Sequence, residues 1–315
     1  MRDAAEEVWK YADPTSFDLR HALARHHDVA MENIVVGEGI DGLLGYLVRM
    51  LVEPGQCVVT SAGAYPTFNY HVVGYGGTIE TVPYQNDHED LDALLTRAAE
   101  TNAKLVYFAN PDNPMGTWHN GAYIEARLDK IPDGTLLVLD EAYIEFADDN
   151  VAPKIDINDP RVIRMRTFSK AYGMAGARVG YALGAPQLIA EFEKIRNHFG
   201  MSRISQIGAL AALSDQDWIK DVNKHVAKAR GQIAQIADQN GMTTLPSATN
   251  FVALDCGQDD VFARAVLEEL AQNGIFVRMP SVPPLNRCIR ISVGPDEDLD
   301  LVARVLPKVL EKLRS

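Results

Sequence analysis

Hydrophobic positions along the chain follow two different periods. Between about residue 33 and residue 185, short apolar runs rich in β-branched and aromatic residues are separated by stretches with helical spacing. Several runs are apolar at every position, as in strands that are buried on both faces of a sheet. The pattern therefore predicts an α/β fold whose large domain has a mainly parallel sheet covered by helices, with strands in "CVVT" (57–60), "KLVYFAN" (104–110), "TLLVLD" (135–140), "RVIRMRTF" (161–168) and "RVGYALG" (178–184).

A second set of elements follows. Residues 218–240 have apolar positions at helical spacing, and Gly241 is a typical stop after such a helix. Next come a strand in "NFVALD", a helix in "DVFARAVLEELAQNG", strands in "IFVRM" and "RCIRISVG", and a last helix from about Asp298 that bends or breaks near Pro307. We therefore predict an N-terminal segment (1–29), a large domain (30–215) and a small C-terminal α/β domain (216–315).

Composition narrows the class of protein. A chain of 315 residues with 47% hydrophobic content has ample material for a buried core. Its net charge of −13 is spread along the chain and disfavours a nucleic-acid or anionic-membrane partner, and no apolar run has the length of a membrane span. Cys57, Cys256 and Cys288 are scattered, so we expect a cytoplasmic protein without disulfides, and no metal site is readable.

Polar side chains follow three of the predicted strands. In a parallel sheet, ligands bind beyond the carboxyl ends of the strands. Taken singly, each side chain has a structural alternative, such as a helix cap, a turn or a solvated loop. Their joint occurrence at successive strand ends instead predicts one common site, made of Asn113 after the second run, Asp140 and Tyr143 after the third, and Thr167, Ser169 and Lys170 after the fourth.

A glycine-containing turn lies near the start of the large domain. In "VVGEGIDGLLGYLV", a short strand enters Gly37-Glu38-Gly39 and an apolar helix follows. Glycine lets the backbone approach an anion closely, and the free N–H groups near Ile40 and Asp41 can bind a phosphate. The further glycines of a dinucleotide or Walker motif are absent, which weighs against NAD and ATP.

Five motifs, in order along nearly the whole chain, resemble those of the fold-type I pyridoxal-phosphate aminotransferases, and most closely the histidinol-phosphate aminotransferase branch. "YPTFNY" is similar to the family's ring-stacking segment and "NPDNPMG" to its asparagine loop. "DEAYIEF" resembles its aspartate-tyrosine motif, "SKAYGMAGARVG" its cofactor-lysine motif and "IRISVG" its carboxylate-binding arginine. The family usually begins with a further N-terminal arm, and this chain is expected to open inside the helix that follows that arm.

The resemblance implies roles around pyridoxal 5'-phosphate. Lys170 would hold the cofactor as a Schiff base and later carry a proton at the substrate α-carbon. Asp140 would face the pyridinium nitrogen, while Asn113 and Tyr143 would bind the phenolic oxygen. Phe68 would lie against the ring face, although core packing is its alternative.

Anion-binding roles are implied in the same way. The cofactor phosphate would be held by Arg178, with its forked guanidinium, together with Thr167, Ser169 and the amides of Gly39, Ile40 and Asp41.

Arg290 would bind the substrate carboxylate. Arg278 is either a second substrate contact or a surface arginine, and Asn250 either contacts substrate or ends a turn. Tyr11, before "ADPTSFDLR", would reach the phosphate of a neighbouring subunit, which implies a homodimer with shared active sites; its alternative is a hydrophobic staple at a helix end.

The function that follows is amino-group transfer between an L-amino acid and a 2-oxo acid. Histidinol phosphate or an aromatic amino acid is the expected substrate, with glutamate and 2-oxoglutarate as the second pair. Two alternatives stay open at this point. One is a decarboxylase or lyase that uses the same cofactor, and the other is a non-catalytic sensor domain of the same fold.

Overall fold

The computed structural model describes residues 1–314, so Ser315, the last residue of the predicted small domain, lies outside the described residues. The first part of the chain forms one sheet. Its strands are β1 (Ile34–Gly37), β2 (Cys57–Ser61), β3 (Thr78–Val82), β4 (Leu105–Ala109), β5 (Leu136–Asp140), β6 (Val162–Thr167) and β7 (Gly180–Gly184).

The spatial order of these strands is β1-β7-β6-β5-β4-β2-β3. The strands β3, β2, β4, β5 and β6, which are neighbours in that order, pair in parallel. Strand β7 runs antiparallel to both β6 and β1. The connection from β6 to β7 contains only a short 3-10 turn, Ala175–Ala177, and so lacks the crossover helix that a parallel return usually uses. The predicted α/β class with a mainly parallel sheet is confirmed.

Helices cover both faces of this sheet, as the uninterrupted apolar runs predicted. In β5, Val138 packs into one core with Leu43 and Leu47, while Leu137 packs into a second core with Leu94 and Leu95. The helices of this part are α1 (Arg2–Ala5), α2 (Phe17–His27), α3 (Gly39–Leu51), α4 (Thr67–Gly74), α5 (Leu91–Thr101), α6 (Gly121–Glu125), α7 (Pro186–Glu191) and α8 (Arg203–Ser214).

The C-terminal part is a small antiparallel sheet covered by three helices among the described residues. Its elements are α9 (Gln216–Gln239), β8 (Thr243–Thr244), β9 (Phe251–Asp255), α10 (Asp260–Gln272), β10 (Cys288–Ser292) and α11 (Asp296–Arg314), with the strand order β10-β9-β8. Helix α9 serves two cores: Ile219 and Val226 pack with the first part of the chain, whereas Ile233 and Ile236 pack against the small sheet.

Two details of the small part differ from the prediction. The segment "IFVRM" (275–279) forms no full strand: Arg278 makes a single bridge to Arg290, and Pro280, which cannot donate a backbone hydrogen bond, follows directly. Helix α11 begins at Asp296 and continues unbroken through Pro307. Its buried apolar face, which includes Leu306 and Leu310, offsets the one backbone hydrogen bond that proline removes.

The helices described within residues 1–314 include no segment long and apolar enough to cross a membrane.

Candidate active site

A cavity of about 180 Å³ lies where the carboxyl ends of β4, β5 and β6 meet the first turn of α3. This is the position that the topology of a parallel sheet favours for a ligand. The cavity brings together predicted residues from five separate segments of the chain, namely Ile40, Asp41, Asn113, Asp140, Tyr143, Thr167, Ser169, Lys170 and Arg178.

Lys170 is the amine of this cavity. Its Nζ lies 5.2 Å from the centre of the Tyr143 ring. Burial lowers the pKa of Lys170, and the positive charges of Arg290 and Arg178 act in the same direction, whereas the Asp140 carboxylate opposes them. A lysine with a lowered pKa is more often unprotonated and therefore more nucleophilic.

Asp140 ends strand β5 and is buried. Its Oδ1 accepts a hydrogen bond from the Ala142 N–H at 2.9 Å, and its Oδ2 accepts one from the Tyr107 hydroxyl at 2.5 Å. Burial raises the pKa of Asp140, while the bond from Tyr107 and the charge of Lys170 work against that rise. The carboxylate is therefore held by two hydrogen-bond donors beside the amine of Lys170.

Asn113 links the two parts of the chain. Its Nδ2 donates to the Tyr143 hydroxyl at 3.4 Å, and its Oδ1 accepts a hydrogen bond from Nη1 of Arg290, which comes from β10 of the small sheet. The Arg290 guanidinium also lies 4.4 Å from the centre of the Phe251 ring. Its Nε is buried and has no hydrogen-bond partner within residues 1–314, so one strong donor is left for an anionic ligand.

An anion site is built from the first turn of α3 and the β6–β7 loop. Gly39 has a φ of +84°, and a Cβ there would lie 2.4 Å from Nη2 of Arg178. Arg178 itself has a left-handed backbone (φ 53°), and its Nη1 donates to the Ala175 carbonyl at 2.9 Å and to Ser169 Oγ at 3.4 Å. The Thr167 hydroxyl in turn accepts from the Ser169 N–H at 3.0 Å. Free amides, a hydroxyl and a guanidinium thus converge as phosphate recognition requires.

These groups fit pyridoxal phosphate. The glycine cradle against Arg178 suits a phosphate, the amine of Lys170 suits an aldehyde, and the buried carboxylate of Asp140 suits a protonated ring nitrogen. The unpartnered donor of Arg290 suits a substrate anion.

Phe68 is not at the cavity, which corrects the predicted placement. Its side chain is fully buried and stacks on Tyr107, with ring centres 5.0 Å apart. Phe68 and Val72 are four residues apart on α4, so both face the core beneath the sheet. Tyr65, in the loop before α4, lines the cavity in its place.

Of the two other residues predicted to bind substrate, one lines a cavity and one does not. Arg278 lines an adjoining cavity with Arg290, Lys170 and Tyr65. Asn250 lines neither cavity; its carbonyl accepts the Val293 N–H at 2.9 Å, next to the pairing of β9 with β10.

Tyr11 also lines neither cavity of its own chain. It is 83% exposed and packs on Phe199, with ring centres 5.0 Å apart.

Tyr65 and Tyr107 also line the cavity, although no sequence motif predicted them. Tyr107 is the polar member of the otherwise apolar strand "LVYFA", a signal that could have marked it as facing the site.

The family model described as "Aminotransferase class I and II" matches residues 2–306, and the chain belongs to this family. It is 34% identical over 315 residues to a histidinol-phosphate aminotransferase of Bacillus velezensis, a match that covers 98% of this chain and 86% of that protein.

Solved structures agree with this assignment. A crystal structure of histidinol-phosphate aminotransferase from Sinorhizobium meliloti in complex with pyridoxal 5'-phosphate is 56% identical, with a TM-score of 0.97 over 99% of this chain and 86% of that one. An L-threonine-O-3-phosphate decarboxylase from Porphyromonas gingivalis is 20% identical with a TM-score of 0.81, over 96% of this chain and 91% of that one, and therefore shares the fold alone.

The protein is a pyridoxal-phosphate-dependent aminotransferase of fold type I. This confirms the predicted family, enzyme class and cofactor, and the decarboxylase, lyase and sensor alternatives are not favoured.

Proposed function

We propose that the enzyme transfers the amino group of L-histidinol phosphate to 2-oxoglutarate, which yields glutamate and the corresponding phosphorylated ketone. The observation that carries this proposal is the pair of arginines, Arg278 and Arg290, in the cavity that also contains Lys170. Both substrates bear anionic groups away from the reacting carbon, and two guanidinium groups can accept either a phosphate or a carboxylate. The relatives named as histidinol-phosphate aminotransferases support the same choice.

Within this proposal, the chain holds the cofactor at several points. Arg178, Thr167, Ser169 and the amides at the start of α3 would bind the phosphate, and Lys170 would bind the aldehyde carbon. Asp140 would keep the ring nitrogen protonated, Asn113 and Tyr143 would bind the phenolic oxygen, and Tyr65, which lines the cavity, would cover the ring. The bound cofactor supplies a ring that accepts the electrons released at the substrate α-carbon.

The residues of the chain would then move the proton and orient the substrate. Lys170 Nζ would accept the proton from the substrate α-carbon and hold it until it is passed on within the site. Its lowered pKa supports this role, because an ammonium group cannot accept a proton. Arg290, fixed by Asn113, would orient the substrate anion and thereby place the α-carbon near Lys170.

We also propose a homodimer with shared active sites, in which Tyr11 reaches the phosphate of the neighbouring subunit. Tyr11 and Trp9 are exposed, large and aromatic, as residues at protein interfaces often are. A cytoplasmic location is part of the same proposal, and it is supported by the three free cysteines, Cys57, Cys256 and Cys288.

The test is the visible absorption of the purified protein with added pyridoxal phosphate, for the wild type and Lys170→Ala. We expect a lysine-dependent band that L-glutamate and L-histidinol phosphate each bleach, with 2-oxoglutarate formed from glutamate. Phenylalanine should bleach it at least about tenfold more slowly, because its single carboxylate offers less negative charge to Arg278 and Arg290 than the phosphate of L-histidinol phosphate or the two carboxylates of glutamate. Release of carbon dioxide instead of a ketone would contradict transfer, and equal rates with phenylalanine would contradict the substrate assignment.

A further inference from the structure

Two buried carboxyl groups lie behind the loop that carries Asn113, and the proposed chemistry does not use them. Glu89, in the segment between β3 and α5, and Asp112, in the loop after β4, are each only 2% exposed. Their side chains are hydrogen-bonded to each other. Within residues 1–314, neither forms an ion pair with a lysine, arginine or histidine.

Each carboxyl group has further donors around it. Glu89 Oε2 accepts from the Ser61 hydroxyl at 2.8 Å, and Oε1 accepts from the Ala109 N–H at 3.3 Å. Asp112 Oδ1 accepts from the Tyr84 hydroxyl at 2.8 Å, and Oδ2 accepts from the Met115 N–H at 3.0 Å. The pair is therefore a connected polar network inside the protein rather than two separate side chains.

Such a network requires a proton. An ionised carboxylate only accepts hydrogen bonds, so two ionised groups in contact would repel each other in a medium that screens poorly. Burial raises the pKa of Glu89 well above its usual range, and the charge of Asp112 acts in the same direction. Burial also raises the pKa of Asp112, to about 6, but the bonds from Tyr84 and Met115 oppose that rise. Glu89 is thus the member that keeps the proton and donates it to Asp112.

Asp112 also anchors the turn that contains Asn113. Its N–H donates to the Thr117 carbonyl at 2.9 Å, and its own carbonyl accepts from the Gly116 N–H at 3.2 Å. Together with the bond from Met115 to its side chain, these contacts close the turn around Asn113, which bonds to Tyr143 and Arg290. Any movement of Asp112 therefore moves the amide that connects the two sheets at the active site.

We propose that Glu89 and Asp112 share one proton and act as a positioning pair that holds the 110–116 turn, and through it Asn113, in the geometry that the active site needs. The positioning of Asn113 rests on the function proposed above. The shared proton does not, because it is a property of the folded chain alone.

Several other titratable or charged groups surround the pair, and the test must take them into account. Burial raises the pKa of Tyr84, Tyr107 and Tyr143 and lowers the pKa of His119, whose Nε2 lies 2.8 Å from the Glu89 carbonyl oxygen. The three tyrosines therefore stay neutral over the tested range, and His119 is present in both the wild type and Glu89→Gln, so the difference between the two proteins does not include its titration. Arg290, Asp90 and the ion pair of Asp87 with Arg287 are the charged groups nearby.

The first measurement is thermal unfolding of the cofactor-free wild type and Glu89→Gln between pH 5 and pH 8.5. The glutamine amide can keep its oxygen toward the Ala109 N–H and donate from its NH2 to Asp112 and to the Ser61 hydroxyl, which can accept as well as donate, but it cannot ionise. Because the pKa of Glu89 is higher in the folded than in the unfolded chain, the wild type loses stability as the pH rises above the unfolded value. We therefore expect the difference in unfolding temperature between Glu89→Gln and the wild type to shift in favour of Glu89→Gln by roughly 2 to 6 °C from pH 5 to pH 8.5. A difference that stays constant with pH would overturn the shared proton.

The second measurement tests positioning by titrating pyridoxal phosphate into the wild type, Glu89→Gln and Glu89→Leu at pH 7. Leucine keeps most of the volume but removes the proton donor, so we expect its dissociation constant to rise about tenfold, while glutamine stays within about twofold of the wild type. Equal affinity in folded Glu89→Leu, or an equal loss in Glu89→Gln, would overturn the positioning role.

If Glu89→Leu does not fold, the pH dependence of cofactor affinity decides instead. The wild type should lose affinity relative to Glu89→Gln as Glu89 ionises at alkaline pH, and parallel curves would overturn the proposal. None of these three measurements involves an amino acid or an oxo acid. Failure of the substrate assignment therefore cannot be mistaken for failure of the pair.

Discussion

At the scale of single residues, Asp140 is held in place by a hydrogen bond from a tyrosine that packs in the core. The Tyr107 hydroxyl donates to its Oδ2, and the Tyr107 ring is in turn stacked on Phe68 in the core. Phe68 therefore packs behind Tyr107 and does not itself line the cavity. A carboxylate that must stay ionised in a buried place needs such a donor, because burial alone favours its neutral form.

Tyr107→Phe removes this donor and keeps the ring stack. We expect the pKa of Asp140 to rise further, so the acidic limb of the kcat profile should move to higher pH. Activity at neutral pH should fall about tenfold, the usual scale for one lost hydrogen bond to a charged group. Steady-state kinetics from pH 5 to 9 would measure both effects, with Tyr75→Phe, which removes a hydroxyl from a more exposed ring, as the control. An unchanged acidic limb would show that Tyr107 does not tune Asp140.

At the scale of elements, the start of α3 and the β6–β7 loop depend on close backbone approach. Gly39 sits at a positive φ directly against Arg178, and a Cβ on Gly180 would lie 2.6 Å from the Gly39 carbonyl carbon. The two segments are distant in sequence and adjacent because β1 pairs with β7 in the sheet. Strand pairing thus brings the helix amides and the arginine together.

Gly39→Ala tests this approach. Alanine there is strained by the backbone conformation and also collides with the Arg178 guanidinium. We expect pyridoxal phosphate to bind at least about tenfold more weakly, by absorption titration.

The matched control is Gly134→Ala. Gly134 also has a positive φ (+77°), but nothing lies within 4 Å of a Cβ there. Gly134→Ala should therefore lower the unfolding free energy by about 1 kcal/mol, through backbone strain alone, and leave the affinity for pyridoxal phosphate unchanged. Equal losses of affinity in the two variants would mean that contact with Arg178 is irrelevant.

At the scale of the whole molecule, side chains from the two sheets meet across the site. Besides the bond of Arg290 to Asn113, Arg287 donates to Asp255 on β9 and to Asp87, in the turn after β3. These groups are about three-quarters buried and share one guanidinium. Arg287 is therefore a polar tie between the C-terminal sheet and the rest of the chain.

Arg287→Gln should remove this tie. We expect a loss of about 1 to 2 kcal/mol in unfolding free energy, reduced by partial solvent screening and smaller at high salt. Urea unfolding at two salt concentrations would measure it. Lys224→Gln, which removes an exposed ion pair with Asp221, should change little and serves as the control. A loss that does not depend on salt would point to packing rather than charge.

Shared active sites can be tested by mixing two variants that we expect to be inactive: Lys170→Ala, which lacks the amine, and Tyr11→Ala, which lacks the proposed contact with the cofactor phosphate. In a mixed dimer, one site receives Lys170 from one chain and Tyr11 from the other. Random exchange of equal amounts should restore roughly a quarter of wild-type activity. No recovery after verified subunit exchange would contradict a contribution of Tyr11 to the neighbouring site.

The sequence by itself determined the α/β class, most strand positions and the segments that meet in the cavity. Strand period, strand ends and turn residues are local properties, so the places of Lys170, Asp140 and Asn113 could be predicted. The roles of these residues stay proposals, since their position alone does not show them.

Only the tertiary structure decided which way side chains point and what lies behind them. Whether Tyr65 or Phe68 faces the cavity depends on how α4 packs on the sheet. The antiparallel course of β7 and the contact of Glu89 with Asp112 likewise arise from packing between distant segments. Such contacts are set by the burial and pairing of groups far apart in sequence, which no local pattern records.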